Sequence, residues 1–326
     1  MHFRSRLVLR DVQATRDASL VISVGGSLDA VVTISNGRHP NAADQNATVV
    51  ETVGTDQPPP DIEQALLTRL ADQGAGRGLR QHSDDDQDDP FLVYCTQITT
   101  ELSGIGRRTF ELVRWRTNVA SAHRPYASLG GDVSADGTDP WAPIPGRFSV
   151  EISQPRHLQL EPSTADAAEP LIQHGSVEPL GHHLLREALS HTRTSPRSAL
   201  VIGVAALETG FKQLVADLVP DARWLIEEVS SPPLARMLRD YLPALPVRND
   251  FDGVVYPPPK AVRTRVQGAV EERNRVTHRG DASIDHHELK LVLEDTRDLL
   301  YLFDFYSGQA WARQHLSADF RIGLGT

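Results

Sequence analysis

Ser198–Leu214 reads SALVIGVAALETGFKQL. It is the most apolar segment of the chain, and its reading separates a helical half from what precedes it. Ser195-Pro196 just upstream offers an N-cap followed by a proline in the first turn, and the expected helix runs to about Leu218. The uninterrupted apolar run, Ala199–Leu207, is far shorter than the ~20 residues of a membrane span, so a buried core helix is expected. Working outward, Val177–Arg193 forms a helix before it. Short helices are expected at Ala222–Val229 and Pro232–Leu242. A third main helix follows the run Pro257–Pro259 and stops near Gly280, and a last long one spans about Ser283 to Trp311. Four main helices with short connectors make a bundle.

Upstream the pattern changes. Arg4–Arg10, Ser19–Ile34 and Ala47–Val53 are rich in β-branched residues, with turn signals at Gly25-Gly26 and Asn36-Gly37. Asp61–Gln73 is a helix by the spacing of Ile62, Leu66, Leu67 and Leu70. Phe91–Leu102 and Thr109–Val119 read as strands, with shorter ones at Phe148–Ile152 and His157–Leu160. The expected architecture is therefore α+β in two domains. Residues 1–165 form a mainly β domain of sandwich or barrel-like type, 166–176 a linker overlapping the loose segment Glu161–Gln173, and 177–326 an all-α bundle of four or five helices.

The chain has 326 residues, 40% hydrophobic and 23% charged, as a folded soluble protein carries. The single cysteine, Cys95, rules out an intramolecular disulfide and a cysteine-based zinc site, and it suits a reducing, cytoplasmic compartment. The net charge of −10 is uneven: residues 1–174 carry −8 and the remainder −2, while Lys260–Gly280 holds six basic residues against Glu271 and Glu272. A nucleic-acid partner would meet the helical half first. The acidic run Asp84–Asp89 is a solvated loop.

The sharpest chemistry lies at Glu271–Gly280, EERNRVTHRG. Val262, Val266, Ala269 and Val270 form one helical stripe, which continues onto Arg273, Asn274 and Thr277, with His278 four residues beyond Asn274. An apolar stripe that turns polar needs its polar groups paired or used. From the residues alone this is an internal hydrogen-bond network, a solvated helix end with basic residues near its negative dipole, or a working site. Glu208, inside the apolar helix, needs a partner, and Arg273 is the obvious one.

Arg273-Asn274-x-x-x-His278 resembles the R-x4-6-H signature of the HEPN superfamily of four- or five-helix bundles, and Ser198–Leu214 resembles that family's second helix, with Glu208 at the position of its acidic residue. The resemblance covers roughly residues 177–312. It implies a metal-independent endoribonuclease in defence or stress response, without cofactors. Its site would be a cleft at a homodimer interface of the helical domain, lined by Arg273, Asn274 and His278 of both copies and supported by Glu208 and Thr277. Within the basic stretch, Arg263, Arg265, Arg275 and Arg279 would contact RNA. The N-terminal domain would sense a small-molecule or protein trigger. The alternative the resemblance carries is a catalytically silent HEPN-like module that dimerises and binds RNA, nucleotide or a partner protein. A family subgroup has a tyrosine after the histidine; here that place is Arg279.

Other signals are weaker. His182-His183 and His286-His287 are adjacent pairs that point to different helix faces, so ordinary histidines are expected rather than a metal site. Gly25-Gly26 lacks the Gly-Lys-Ser/Thr of a phosphate loop, and no G-x-S-x-G is present. Arg114-Trp115-Arg116 on a strand would bury Trp115 and expose the arginines, or else stack on single-stranded RNA.

Overall fold

Alternating burial along Phe3, Ser5, Leu7 and Leu9 sets one face of the first strand inward, as a half-buried antiparallel sheet requires. The computed structural model describes residues 1–9, 12–14, 19–25, 28–39, 42–74, 89–119, 126–138, 140–145, 156–158, 162–228, 233–279 and 284–325. The chain divides into two units, Met1–Val177 and Glu178–Thr326, and its fold is α+β: an antiparallel sheet in the first unit and helices in the second.

The first unit contains β1 (His2–Leu9), β2 (Val12–Ala14), β3 (Ser19–Val24), β4 (Ala30–His39), β5 (Ala42–Thr55), α1 (Pro60–Gly74), α2 (Pro90–Thr117), β6 (Tyr126–Ser134), β7 (Ala142–Ile144), β8 (Arg156–Leu158) and α3 (Pro162–Gln173). Six strands form one sheet in the order β3-β4-β5-β1-β6-β7, while β2 and β8 form a parallel pair. The core joins Phe3, Leu20, Ile22, Val32, Ile34 and Val50 of the sheet to Leu66 of α1, Cys95, Leu102, Phe110 and Val113 of α2, and Ala168 of α3.

Several expectations change here. The sandwich or barrel is instead one open sheet backed by helices. The two strands read at Phe91–Leu102 and Thr109–Val119 are one helix, α2. Asp89 caps it, its Oδ1 accepting from the Phe91 N–H at 2.9 Å, with Pro90 in the first turn; Asn118, in the left-handed region at φ 54°, closes it. Gly106 sits mid-helix because a Cβ there would lie 2.5 Å from Thr52 Oγ1 on the sheet. Within α2 it is Arg114, not only Trp115, that is buried, and Arg116 is half-buried. The turn read at Asn36-Gly37 continues as strand in β4. The loose segment and linker read over 161–176 is largely helix α3, whose Ala168 is fully buried in the first unit's core. The strand read at Phe148–Ile152 and Gly26 of the Gly25-Gly26 turn lie outside the described residues. So do 84–88 of the acidic run and the last two residues of His157–Leu160.

The second unit contains α4 (Leu180–His191), α5 (Pro196–Leu218), α6 (Arg223–Glu228), α7 (Leu234–Arg236) running into a π-helical turn, α8 (Lys260–Arg279), α9 (His286–Tyr306), a 3-10 turn (Ala310–His315) and α10 (Ala318–Leu324). The last long helix is shorter than the span to Trp311 read from sequence; it ends at Tyr306, and Gly308 follows at φ 115°. α5 packs against α4, α8 and α9. A Cβ on Gly203 would come 2.5 Å from Leu293 Cδ2, and one on Gly210 would clash with Leu300 Cδ2. The same seven-residue step on both helices means that α5 and α9 run in the same direction in close contact. Arg248 bridges their shared end, donating from Nη1 to the Ser307 carbonyl (2.8 Å) and from Nη2 to the Asp217 carbonyl (3.1 Å), a cation where two helix dipoles are negative. Among the described residues α5 is long and apolar enough to cross a membrane, yet 67% of its most apolar window is buried inside the protein, as befits the central helix of a bundle.

Candidate functional site

Pro257–Pro259 cannot extend a helix backwards, and α8 begins immediately after them. Arg263 folds back to donate from Nε to the Pro258 carbonyl at 2.9 Å. Val262, Val266 and Ala269 are buried, so the expected stripe faces the bundle. One turn beyond Ala269 the stripe reaches Arg273, whose Nη2 donates to Glu208 Oε1 at 2.7 Å. Both side chains are largely buried, 16% and 10% exposed. The acid on the apolar helix and the arginine of the polar stretch, 65 residues apart, therefore form one ion pair joining α5 to α8.

The rest of the stretch faces elsewhere. Asn274 and Thr277 were expected on the buried stripe and are exposed instead. Asn274 lies about a quarter turn round the helix from it. Thr277 returns to the stripe's azimuth where the helix end has outrun its packing, and its Oγ1 donates to the carbonyls of Arg273 (3.0 Å) and Asn274 (3.2 Å). His278 and Arg279 belong to the last turn of α8, but their side chains lie outside the described residues, as does Gly280. Of the arginines read as RNA contacts, Arg265 grips Asp295 through Nε (2.6 Å) and Nη2 (2.8 Å), and Arg275 contacts Glu272. Burial lifts the Asp295 carboxyl above its ordinary range even against the pull of Arg265, while the bond to Asp295 holds Arg265 more firmly protonated. Desolvation of the acid offsets much of what the pairing contributes. Arg263 and Arg265 are half-buried and bonded within the unit, and Arg275 is exposed.

A second polar cluster in this unit was not singled out from sequence. His182 Nε2 lies 2.8 Å from Asp304 Oδ2, both residues buried, and the His182 ring packs on Tyr301 at 4.8 Å between centroids. Arg186 Nε donates to Glu178 Oε1 at 2.8 Å, and His183 Nε2 stands 3.4 Å from Glu178 Oε2. Burial raises the Tyr301 phenol far above its usual range. His286 and His287 are exposed at the start of α9. Among the described residues no three His, Cys, Asp or Glu side chains come together as a metal cage would need.

Arg273, Asn274 and His278 thus follow one another along the last two turns of α8, with Arg273 held by Glu208. No protein-family model, curated protein or solved structure matches this chain.

Proposed function

We propose that the helical unit is a HEPN-like domain and that the protein is a metal-independent endoribonuclease. The observation that carries this reading is the 2.7 Å bond between Glu208 and Arg273, which joins the two segments on which the resemblance rests. RNA brings its own nucleophile, the 2′-hydroxyl, so the protein needs only to move protons and stabilise the phosphorane. His278 acts as general base or acid, its ordinary pKa lying near neutral pH. Arg273 meets the charge developing on the phosphate, and Glu208 fixes its direction. Asn274, exposed beside it, orients the phosphate. Two copies pair through their helical units, so that both motifs line one groove.

A second reading, the silent binding module, is favoured by one observation: Arg273 is already engaged in a largely buried ion pair. Chemistry separates the two. Single-stranded RNA incubated with the full chain in excess EDTA is expected to yield fragments ending in 2′,3′-cyclic phosphate and 5′-hydroxyl. RNA with 2′-deoxy residues at the cut is expected to stay whole. Loss of cleavage in EDTA, or cutting of the deoxy substrate, would overturn the enzymatic reading; RNA binding without cleavage would favour the module.

A further inference from the structure

β3 ends the six-stranded sheet, and among the described residues its only strand neighbour is β4. Its sequence, SLVISV, carries no charge and no proline, and its pairing with β4 is regular from Ser19↔Ser35 to Val24↔Ala30, without a bulge. Those are the devices by which edge strands avoid pairing with another chain, and β3 has none of them. Leu20 and Ile22 point into the core, 2% and 1% exposed, in the cluster that also holds Ala168 of α3. That helix packs against the inner face of β3. On the outer face Val21 is 56% and Val31, diagonal to it on β4, is 42% exposed.

We infer that β3 is an interface for a second copy of this chain, pairing antiparallel with its own counterpart about a twofold axis at Val21. Burial along Ser19–Ser23 alternates exposed, buried, exposed, buried, exposed, and this pattern is its own mirror about Val21. Antiparallel pairing in that register sets Leu20 opposite Ile22 of the copy, inward on inward, and Ser19 opposite Ser23. A one-residue slip would turn core residues to solvent. The register also sets Val21 against Val21 with Val31 beside each, closing four exposed valines into one apolar patch. No like charges meet, because the strand has none. A charged peptide would gain nothing from this edge that a second copy does not supply. The inference goes beyond the ribonuclease reading and stands whether or not that reading holds.

Cys95, the sole thiol, is fully buried, so an introduced cysteine reports alone. Cα atoms of directly opposed strand residues lie within disulfide range. Val21→Cys is expected to form a covalent dimer of the full chain under mild oxidation. Ser19→Cys mixed with Ser23→Cys is expected to form the mixed dimer. Ser23→Cys alone should link slowly, as should Val31→Cys, whose copies sit three strand spacings across and four residues along, about 20 Å apart. The expected advantage of Val21→Cys over either control is about ten-fold or more in rate, since Cα atoms beyond ~7 Å cannot be bridged without backbone movement. Equal rates at all positions, as simple proximity in a dimer held elsewhere would give, would overturn the inference, and so would no linkage at Val21.

Discussion

At the scale of single residues, the candidate site turns on Glu208. An acid inside SALVIGVAALETGFKQL needs a partner, and this much was legible because burial of a carboxylate is costly wherever it occurs. The other buried pairs were not legible. Arg265 with Asp295 and His182 with Asp304 join positions 30 and 122 residues apart; Asp304, inside the apolar run Leu299–Tyr306, signals the need for a partner as Glu208 does, but nothing in the sequence points to His182 as that partner. Replacing Glu208 by Ala removes the carboxylate facing Arg273 at 2.7 Å and is expected to cost about 3 kcal/mol in denaturant unfolding, as breaking a largely buried pair does. Glu208→Gln keeps the shape and an acceptor oxygen and should cost clearly less. Equal stability of wild type and Glu208→Ala would show that the pair does not hold α5 to α8.

At the scale of elements, the largest misreading was α2. Val93, Tyr94, Thr96, Ile98 and Thr99, then Thr109, Phe110, Val113 and Trp115, are residue types that favour strands. Tertiary contact overrides that preference. Phe91, Cys95, Ile98, Leu102, Ile105, Thr109 and Val113 are buried at helical spacing, and Gly106 is there for close approach to the sheet rather than as a turn. The start of α9, by contrast, carries a plain local signal. Asp285 Oδ1 accepts from the Glu288 and His287 N–H groups at 3.0 and 2.8 Å, and these bonds hold its carboxyl below the ordinary value. A depressed folded pKa stabilises the fold above the unfolded value of ~3.9, and that contribution is lost as pH falls through the folded value. Asp285→Ala is therefore expected to melt below wild type at pH 7, with the gap closing as the pH is taken below ~3.9. Melting curves across that range check it; a gap independent of pH would mean that the cap bond is not the cause.

At the scale of the whole molecule, two units with separate cores divide the charge unequally. The N-terminal sheet unit holds most of the excess acid, so the proposed reading expects any affinity for RNA from the helical unit, with its basic stretch on α8. The helical half was readable because its prolines and apolar spacing agree with one another. In the sheet unit the first strands, β1, β3, β4 and β5, were readable, but β6 and β7 were not and α2 was read as two strands; the architecture was not readable either, because nothing in the sequence marks which helices cover which face. What unites sequence, fold and proposed activity is the end of α8, and His278 is the residue there assigned to proton transfer. The direct measurement is the rate of single-stranded RNA cleavage in excess EDTA by the full-length wild type and by His278→Ala, with melting temperature and solution mass recorded for both. The expected result is a loss of about 10²–10⁴-fold in rate, the span of general acid–base catalysis, at unchanged melting temperature and unchanged solution mass. Cleavage that His278→Ala leaves intact, or that EDTA abolishes in the wild type, would contradict the account.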